Sequence, residues 1–173
     1  MKKVFIIGIV LAMTSFTAFA QKGNNQIGIG LDLGLPVGDF GDGSNFGIGG
    51  TAKGMYGIGN AGQVELTVGY ISFGSKESTS EAKASTGIIP IFAGYRHHLN
   101  QFYLEPQLGL SMISSKATVM GNSFSSSTTA FGWALGIGYE FDAFDLSARY
   151  QSASKSGGSL GFFGLRIGYN FPF

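Results

Sequence analysis

The sequence predicts an all-β fold, an eight-stranded antiparallel up-and-down transmembrane β-barrel. Apolar residues recur with period 2 in eight segments, each near the roughly 9–11 residues that a tilted strand needs to cross a bilayer. Charged residues make up only 12% of the chain, too few to clothe a water-facing exterior when about 25% is usual. No run after the first twenty residues approaches the length of a membrane helix. A chain this apolar must then satisfy its backbone by closing a sheet on itself.

The chain opens with MKKVFIIGIVLAMTSFTAFA: two lysines, an apolar run and Ala18-Phe19-Ala20. This is the three-part pattern of a secretory signal peptide, and the run is short for a spanning helix. The predicted organisation is a signal peptide over 1–20 and a barrel domain over 21–173. Setting Lys2 and Lys3 aside leaves nine basic against ten acidic residues, a balance that gives nucleic acid nothing to follow. Cysteine is absent, which excludes disulfides and a lipid-bearing cysteine at the cleavage site.

The segments follow in order. QIGIGLDLGL puts Ile27, Ile29, Leu31, Leu33 and Leu35 on one face. The second runs from about Phe46 to Ile58, and the third, QVELTVGYISF, presents Val64, Leu66, Val68 and Tyr70. GIIPIFAGYRHH is ambiguous in phase, with Ile89, Ile91, Ala93 and Tyr95 the better apolar set; Pro90 needs a bulge or a gap in the ladder. FYLEPQLGLSM carries Phe102, Leu104, Pro106, Leu108, Leu110 and Met112 on one side. FGWALGIGYEF alternates Phe131, Trp133, Leu135, Ile137, Tyr139 and Phe141 with small residues and Glu140. The seventh carries Phe144, Leu146, Ala148 and Tyr150, and the eighth is GLRIGYNFPF, with Leu165, Ile167, Tyr169, Phe171 and Phe173.

The links alternate as well. PVGDFGDGSN, GSKESTSEAKAS, SSKATVMGNSFSSSTT and SASKSGGS are long and polar, whereas the links at Asn60, Asn100 and Ala143 are tight. Short periplasmic turns and long outer loops are the pattern of bacterial outer-membrane barrels.

A soluble barrel also alternates, but with its greasy face inward. Here the opposite face is mostly Gly, Ser, Thr and Ala, a poor exterior and a good lining for a narrow lumen. Aromatics near strand ends, Tyr56, Tyr95, Phe102, Tyr139, Phe141, Tyr169 and Phe171, suit an interfacial girdle. An outward charge at mid-bilayer would cost about 2–4 kcal/mol, so parity sends Asp32, Lys53, Glu65, Arg96, Glu105, Glu140, Asp145, Arg149 and Arg166 into the lumen. With a turn centred on Asn100 and Gln101, Arg96 faces Glu105. Arg149 and Arg166 lie on adjacent strands and need a carboxylate between or beside them. Asp32, across the seam between the first and last strands, is the expected partner of Arg166.

On these features the chain resembles the small porin-like outer-membrane β-barrel proteins of Gram-negative bacteria. LPVGDF after the first strand, AGYR at Tyr95-Arg96 and the terminal RIGYNFPF add to the likeness, which spans the mature chain. The resemblance implies that Ile167, Tyr169, Phe171 and Phe173 form the signal that the barrel assembly machinery reads. It implies a family of anchors, adhesion or defence factors, narrow pores and a few lipid-modifying enzymes.

Other chemistry is weakly signalled. GIGNAG (57–62) has the letters of a dinucleotide loop, but QVELTVGY follows where a helix is required. His97 and His98, the only histidines, alternate across a strand and lie beside a short turn. That placement suits neither a shared metal nor an outward-facing hydrolase. Asp39, Asp42 and Asn45 depart from the spacing of a calcium loop. No motif calls for a cofactor.

The expected protein is therefore a monomeric, non-enzymatic outer-membrane barrel, plugged by its internal charges. Its partners are outer-membrane lipid, the assembly machinery and an extracellular contact made through the loops. A narrow passive channel is the alternative, kept open by the room that inward glycines leave.

Overall fold

A computed structural model describes residues 25–76, 82–119, 122–155 and 158–173. The expected signal peptide lies outside the described residues. The strands are β1 (Gln26–Val37), β2 (Ser44–Ile58), β3 (Gly62–Ser75), β4 (Ala82–Leu99), β5 (Phe102–Val119), β6 (Asn122–Phe141), β7 (Phe144–Lys155) and β8 (Gly158–Pro172). A short helix, α1 (Asp39–Gly43), joins β1 to β2. The strands pair antiparallel in sequence order, and β1 closes on β8 to complete the barrel.

Closure leaves the apolar parity facing out. Leu31, Leu66, Leu108, Ile137 and Ile167 are among the large apolar side chains exposed on the outer wall, as a lipid-facing surface requires. The stagger of a tilted barrel is visible in one row of partners. It runs Asp32↔Gly49, Gly49↔Ile71, Ile71↔Ile88, Ile88↔Ile113 and Ile113↔Thr128, starting at mid-β1 and ending in the upper half of β6.

The tight turns have local causes. Asn100 (φ 63°) and Asp142 (φ 52°) take the left-handed conformation in two-residue turns, where short polar side chains are the tolerated ones. Gly59 (φ 68°) does so in the β2–β3 turn. Pro90 causes no bulge: Val68↔Ile91 and Ile71↔Ile88 share one register, so the ladder skips the proline and resumes. Pro172 is tolerated too, pairing with Gln26, and the Phe173 N–H donates to the Asn25 carbonyl at 3.1 Å.

Two expectations change. The long links are largely strand: β5 and β6 remain paired up to Val119↔Asn122, and β7 and β8 up to Lys155↔Gly158. Hydroxyl pairs such as Thr118···Ser123 (3.0 Å) help hold this ribbon, whose two faces both meet water along Asn122–Thr129. Apolar alternation cannot mark a strand that has no greasy side.

The lumen is also less uniformly small and polar than its glycines suggest. Ile71, Phe73, Ile88 and Phe162 are fully buried and form an apolar layer at the ribbon end. Phe40 of α1 packs edge-on against Phe73, with ring centroids 5.0 Å apart, and Phe73 in turn against Phe162 at 5.2 Å. Inward Ile88 and Phe92 explain why the fourth segment was ambiguous in phase: both its faces are apolar.

Candidate functional site: the lumen charge network

Every strand sends at least one ionisable side chain inward. β1 supplies Asp32, β2 Lys53, β3 Glu65, β4 Arg96, β5 Glu105, β6 Glu140, β7 Asp145 and Arg149, and β8 Arg166. All but Glu140 are buried, Arg96 completely; the Glu140 side chain is 10% exposed.

Arg96 is the hub. The register on either side of Pro106, Gly94↔Gln107 and His97↔Leu104, sets Arg96 directly opposite Glu105. Its Nε and Nη2 donate to Glu105 Oε2 at 2.9 and 2.6 Å, and its Nη1 to Asp145 Oδ2 at 2.8 Å. Glu140 Oε2 lies 3.5 Å from Nη1, and Glu65 Oε2 lies 3.9 Å from Nε. The guanidinium also sits 3.8 Å from the Tyr103 ring centroid, and the Tyr103 hydroxyl donates to Asp145 Oδ1 at 2.7 Å. Lys53 pairs with Glu105 and stands 3.7 Å from Glu65. Gln107 Nε2 donates to Glu65, to Thr67 Oγ1 (3.0 Å) and to Glu105 Oε1 (3.1 Å).

The second group surrounds Arg166. It faces Asp32 across the seam, yet its ion pair is with Asp145 Oδ1 at 3.2 Å. Asp32 is taken by Arg149 Nη2 at 3.1 Å, which supplies the carboxylate that Arg149 needs. Arg166 reaches Asp32 only through Thr51: Nε donates to Oγ1 at 2.9 Å, and that hydroxyl donates to Asp32 Oδ2 at 2.8 Å. The reason is space. The Arg166 side chain lies over Gly30 and Gly168, where any Cβ would meet its guanidinium, and Gly168 is the register partner of Asp145.

The same device recurs. A Cβ at Gly138 would strike the Tyr103 ring, at Gly132 the Phe92 ring (2.8 Å), and at Gly34 or Gly47 the Phe73 ring (2.7 and 2.6 Å). These inward glycines are therefore slots occupied by the large side chains of neighbouring strands.

Neutral members of the network carry no charge to mark them: Thr51, Tyr103, Gln107, Asn170 and Gln26, which donates to Glu140 at 2.9 Å. Their signal is parity alone, since they alternate with the outward residues of their strands. His97 faces out beside Tyr95, while His98 turns inward to Gln63 at 3.0 Å. Among the described residues, no three His, Cys, Asp or Glu side chains are arranged to hold a metal. Ile167, Tyr169, Phe171 and Phe173 all face outward on or beside β8, where the Tyr169 and Phe171 rings lie tilted against each other with centroids 4.7 Å apart.

A family model described as outer membrane protein beta-barrel domain matches residues 8–171. Among solved structures the chain is similar to Ail, the attachment invasion locus protein of Yersinia pestis. The two are 21% identical over 87% of this chain and 100% of that one, with a TM-score of 0.64. It is similar to the N-terminal barrel of Pseudomonas aeruginosa OprF (16% identity, 87% and 100% covered, TM-score 0.63). It is also similar to Neisserial surface protein A (16%, 86% and 97%, TM-score 0.60). No curated protein matches the chain.

Proposed function

We propose, for a chain that belongs to the outer membrane protein beta-barrel domain family, that its barrel is plugged and that its work is done by the end projecting outside the cell. The barrel is integral to the outer membrane of a Gram-negative envelope. In barrels of this kind short turns face the periplasm and long connections the exterior, which puts the β4–β5–β6 ribbon outside. Residues 1–20 direct export in this reading. The outward row Ile167, Tyr169, Phe171 and Phe173, at the strand that closes the seam, is the segment offered to the assembly machinery. The barrel has no open edge at membrane depth and acts as a monomer there.

One observation carries the plug: the spaces left by Gly30, Gly34, Gly47, Gly132, Gly138 and Gly168 are filled by Arg166, Tyr103, Phe73 and Phe92. An eight-stranded barrel is just wide enough for its side chains, and this one is closed twice. Ion pairs around Arg96 close the periplasmic half, and the Phe73 layer under Phe40 closes the outer half. Ail has been solved with the heparin analogue sucrose octasulfate. In the sequence of this chain's four long links, Lys76, Lys83, Lys116 and Lys155 stand against Asp39, Asp42, Glu77 and Glu81, a balance that gives a polyanion little net charge to follow.

Planar-bilayer recording of the refolded protein tests the plug. The expected result is a silent membrane for the wild type and for Phe40→Ala, which opens one layer only. Reproducible single-channel steps in the wild type, altered in amplitude by Arg166→Ala, would replace the plug with a pore.

A further inference from the structure

The strands do not end at a common height. β4 stays paired with β5 as far as Ala82↔Val119, and β5 with β6 as far as Val119↔Asn122. β6 meets β7 only from Phe131↔Ser154 onward. Among the described residues, no strand therefore pairs with the β7-side edge of Asn122–Ala130. Every second residue along that edge points its backbone N–H and C=O away from β5.

Natural sheets guard such an edge with Lys, Pro, a bulge or a covering loop. The segment NSFSSSTTA has no charge and no proline, and its register against β5 is unbroken. The side-chain contact that crosses it is Lys155 Nζ to Thr128 Oγ1 at 2.7 Å, close to where β7 ends. Both faces of Asn122–Thr129 are exposed. The occupant that matches a row of free backbone donors and acceptors is another strand.

The segment complements itself. Turned antiparallel about Ser126, it sets Ser125 opposite Ser127, Phe124 opposite Thr128 and Ser123 opposite Thr129. No charges confront each other, and in the Ser125–Ser127 and Ser123–Thr129 pairs hydroxyl faces hydroxyl as already happens toward β5, where Ser127 donates to Ser114 at 3.3 Å. The two-fold axis that relates antiparallel edges stands perpendicular to the sheet. Because the barrel wall rises along the membrane normal, that axis lies in the membrane plane and inverts the second copy. We propose that the Asn122–Ala130 edge pairs with the same edge of a second copy in a facing membrane, making one continuous sheet of the two ribbons. This rests on the outward orientation of the ribbon given above and makes the contact surface a homotypic one.

The test uses the full chain folded into phosphatidylcholine vesicles, with β-structure checked by circular dichroism and clustering read as turbidity. Protein-bearing vesicles are expected to cluster with one another and to leave protein-free vesicles unrecruited. Ser126→Lys lies on exposed ribbon, away from the plug, and sets like charges opposite each other, slowing clustering at least about fivefold. Ser126→Glu alone does the same, and mixing the Lys and Glu populations restores the rate. Absence of clustering by folded wild type, recruitment of protein-free vesicles, or indifference to both substitutions would overturn the pairing. The bilayer recording separates the two readings: a silent barrel that does not cluster refutes only the pairing, and a conducting barrel that clusters refutes only the plug.

Discussion

Arg96 has no route to water: it is fully buried, and its fork is divided between Glu105 and Asp145, with Glu140 and Glu65 close behind. Truncating it strands several carboxylates in a low-dielectric lumen, and breaking a buried pair from one side costs about 3–5 kcal/mol. Arg96→Ala is expected to lower unfolding free energy by that amount in urea titrations of the bilayer-embedded protein. Arg96→Ala with Glu105→Ala should lose less than the two single losses together, because the second change removes a charge that the first orphaned. Outward His97→Ala, one position along, should stay within about 0.5 kcal/mol. Equal losses for Arg96 and His97 would place Arg96 in solvated surroundings. Parity made the inward direction of these charges readable from the sequence, because a strand offers only two faces. Their partners were less readable. Arg96 and Glu105 follow from a two-residue turn, but Arg166 pairs with Asp145 rather than Asp32 because Gly30 and Gly168 leave room for its guanidinium beside Asp145. Such a choice depends on the shape of four strands at once.

The elements that were hardest to read are those without a greasy face. The upper parts of β5 and β6 are Ser- and Thr-rich on both sides, so they have the composition of a loop and the hydrogen bonding of a strand. Helix α1, only five residues long, leaves no periodic trace. It begins after Gly38, whose φ of 61° and ψ of −151° suit a residue without a Cβ. The Gly41 and Asp42 N–H groups then donate back to the Gly38 carbonyl, and Lys76 Nζ reaches the Gly41 carbonyl at 2.5 Å. These contacts aim Phe40 at Phe73. Phe40 is only half-buried, so Phe40→Ala should cost less than a full core truncation, about 1–2 kcal/mol rather than 3–5. Amide hydrogen exchange should quicken at the outer ends of β2 and β3 and stay unchanged around Arg96 and Glu105. Faster exchange throughout both layers would mean that they open as one unit.

At the scale of the whole molecule, the question is where the membrane stops along strands much longer than it requires. β6 has 20 residues, about twice the roughly 9–11 that a tilted strand needs. Its outward row answers in side-chain chemistry: Phe141, Tyr139, Ile137, Leu135, Trp133 and Phe131 are followed by Thr129, Ser127, Ser125 and Ser123. The apolar stretch has aromatics at both ends, with Trp133 against Tyr150 at 5.5 Å and Tyr150 against Phe163 at 5.2 Å in its outer half. The outer boundary then falls between Phe131 and Thr129, just where β6 loses β7 as a partner. An arginine scan of this row should map the boundary. Leu135→Arg is expected to cost about 2–4 kcal/mol near mid-bilayer, Phe131→Arg about 0–1 near the interface, and Thr129→Arg or Ser127→Arg nothing measurable beyond it. Urea titration of each variant in bilayers of one thickness gives the profile. A cost that persisted at Ser127 would sink the ribbon into lipid, where an unpaired edge cannot stand. A cost that vanished by Leu135 would leave a band too narrow for the barrel to span. The expected profile alone makes β6 both a wall of the lumen and an open edge beyond the bilayer.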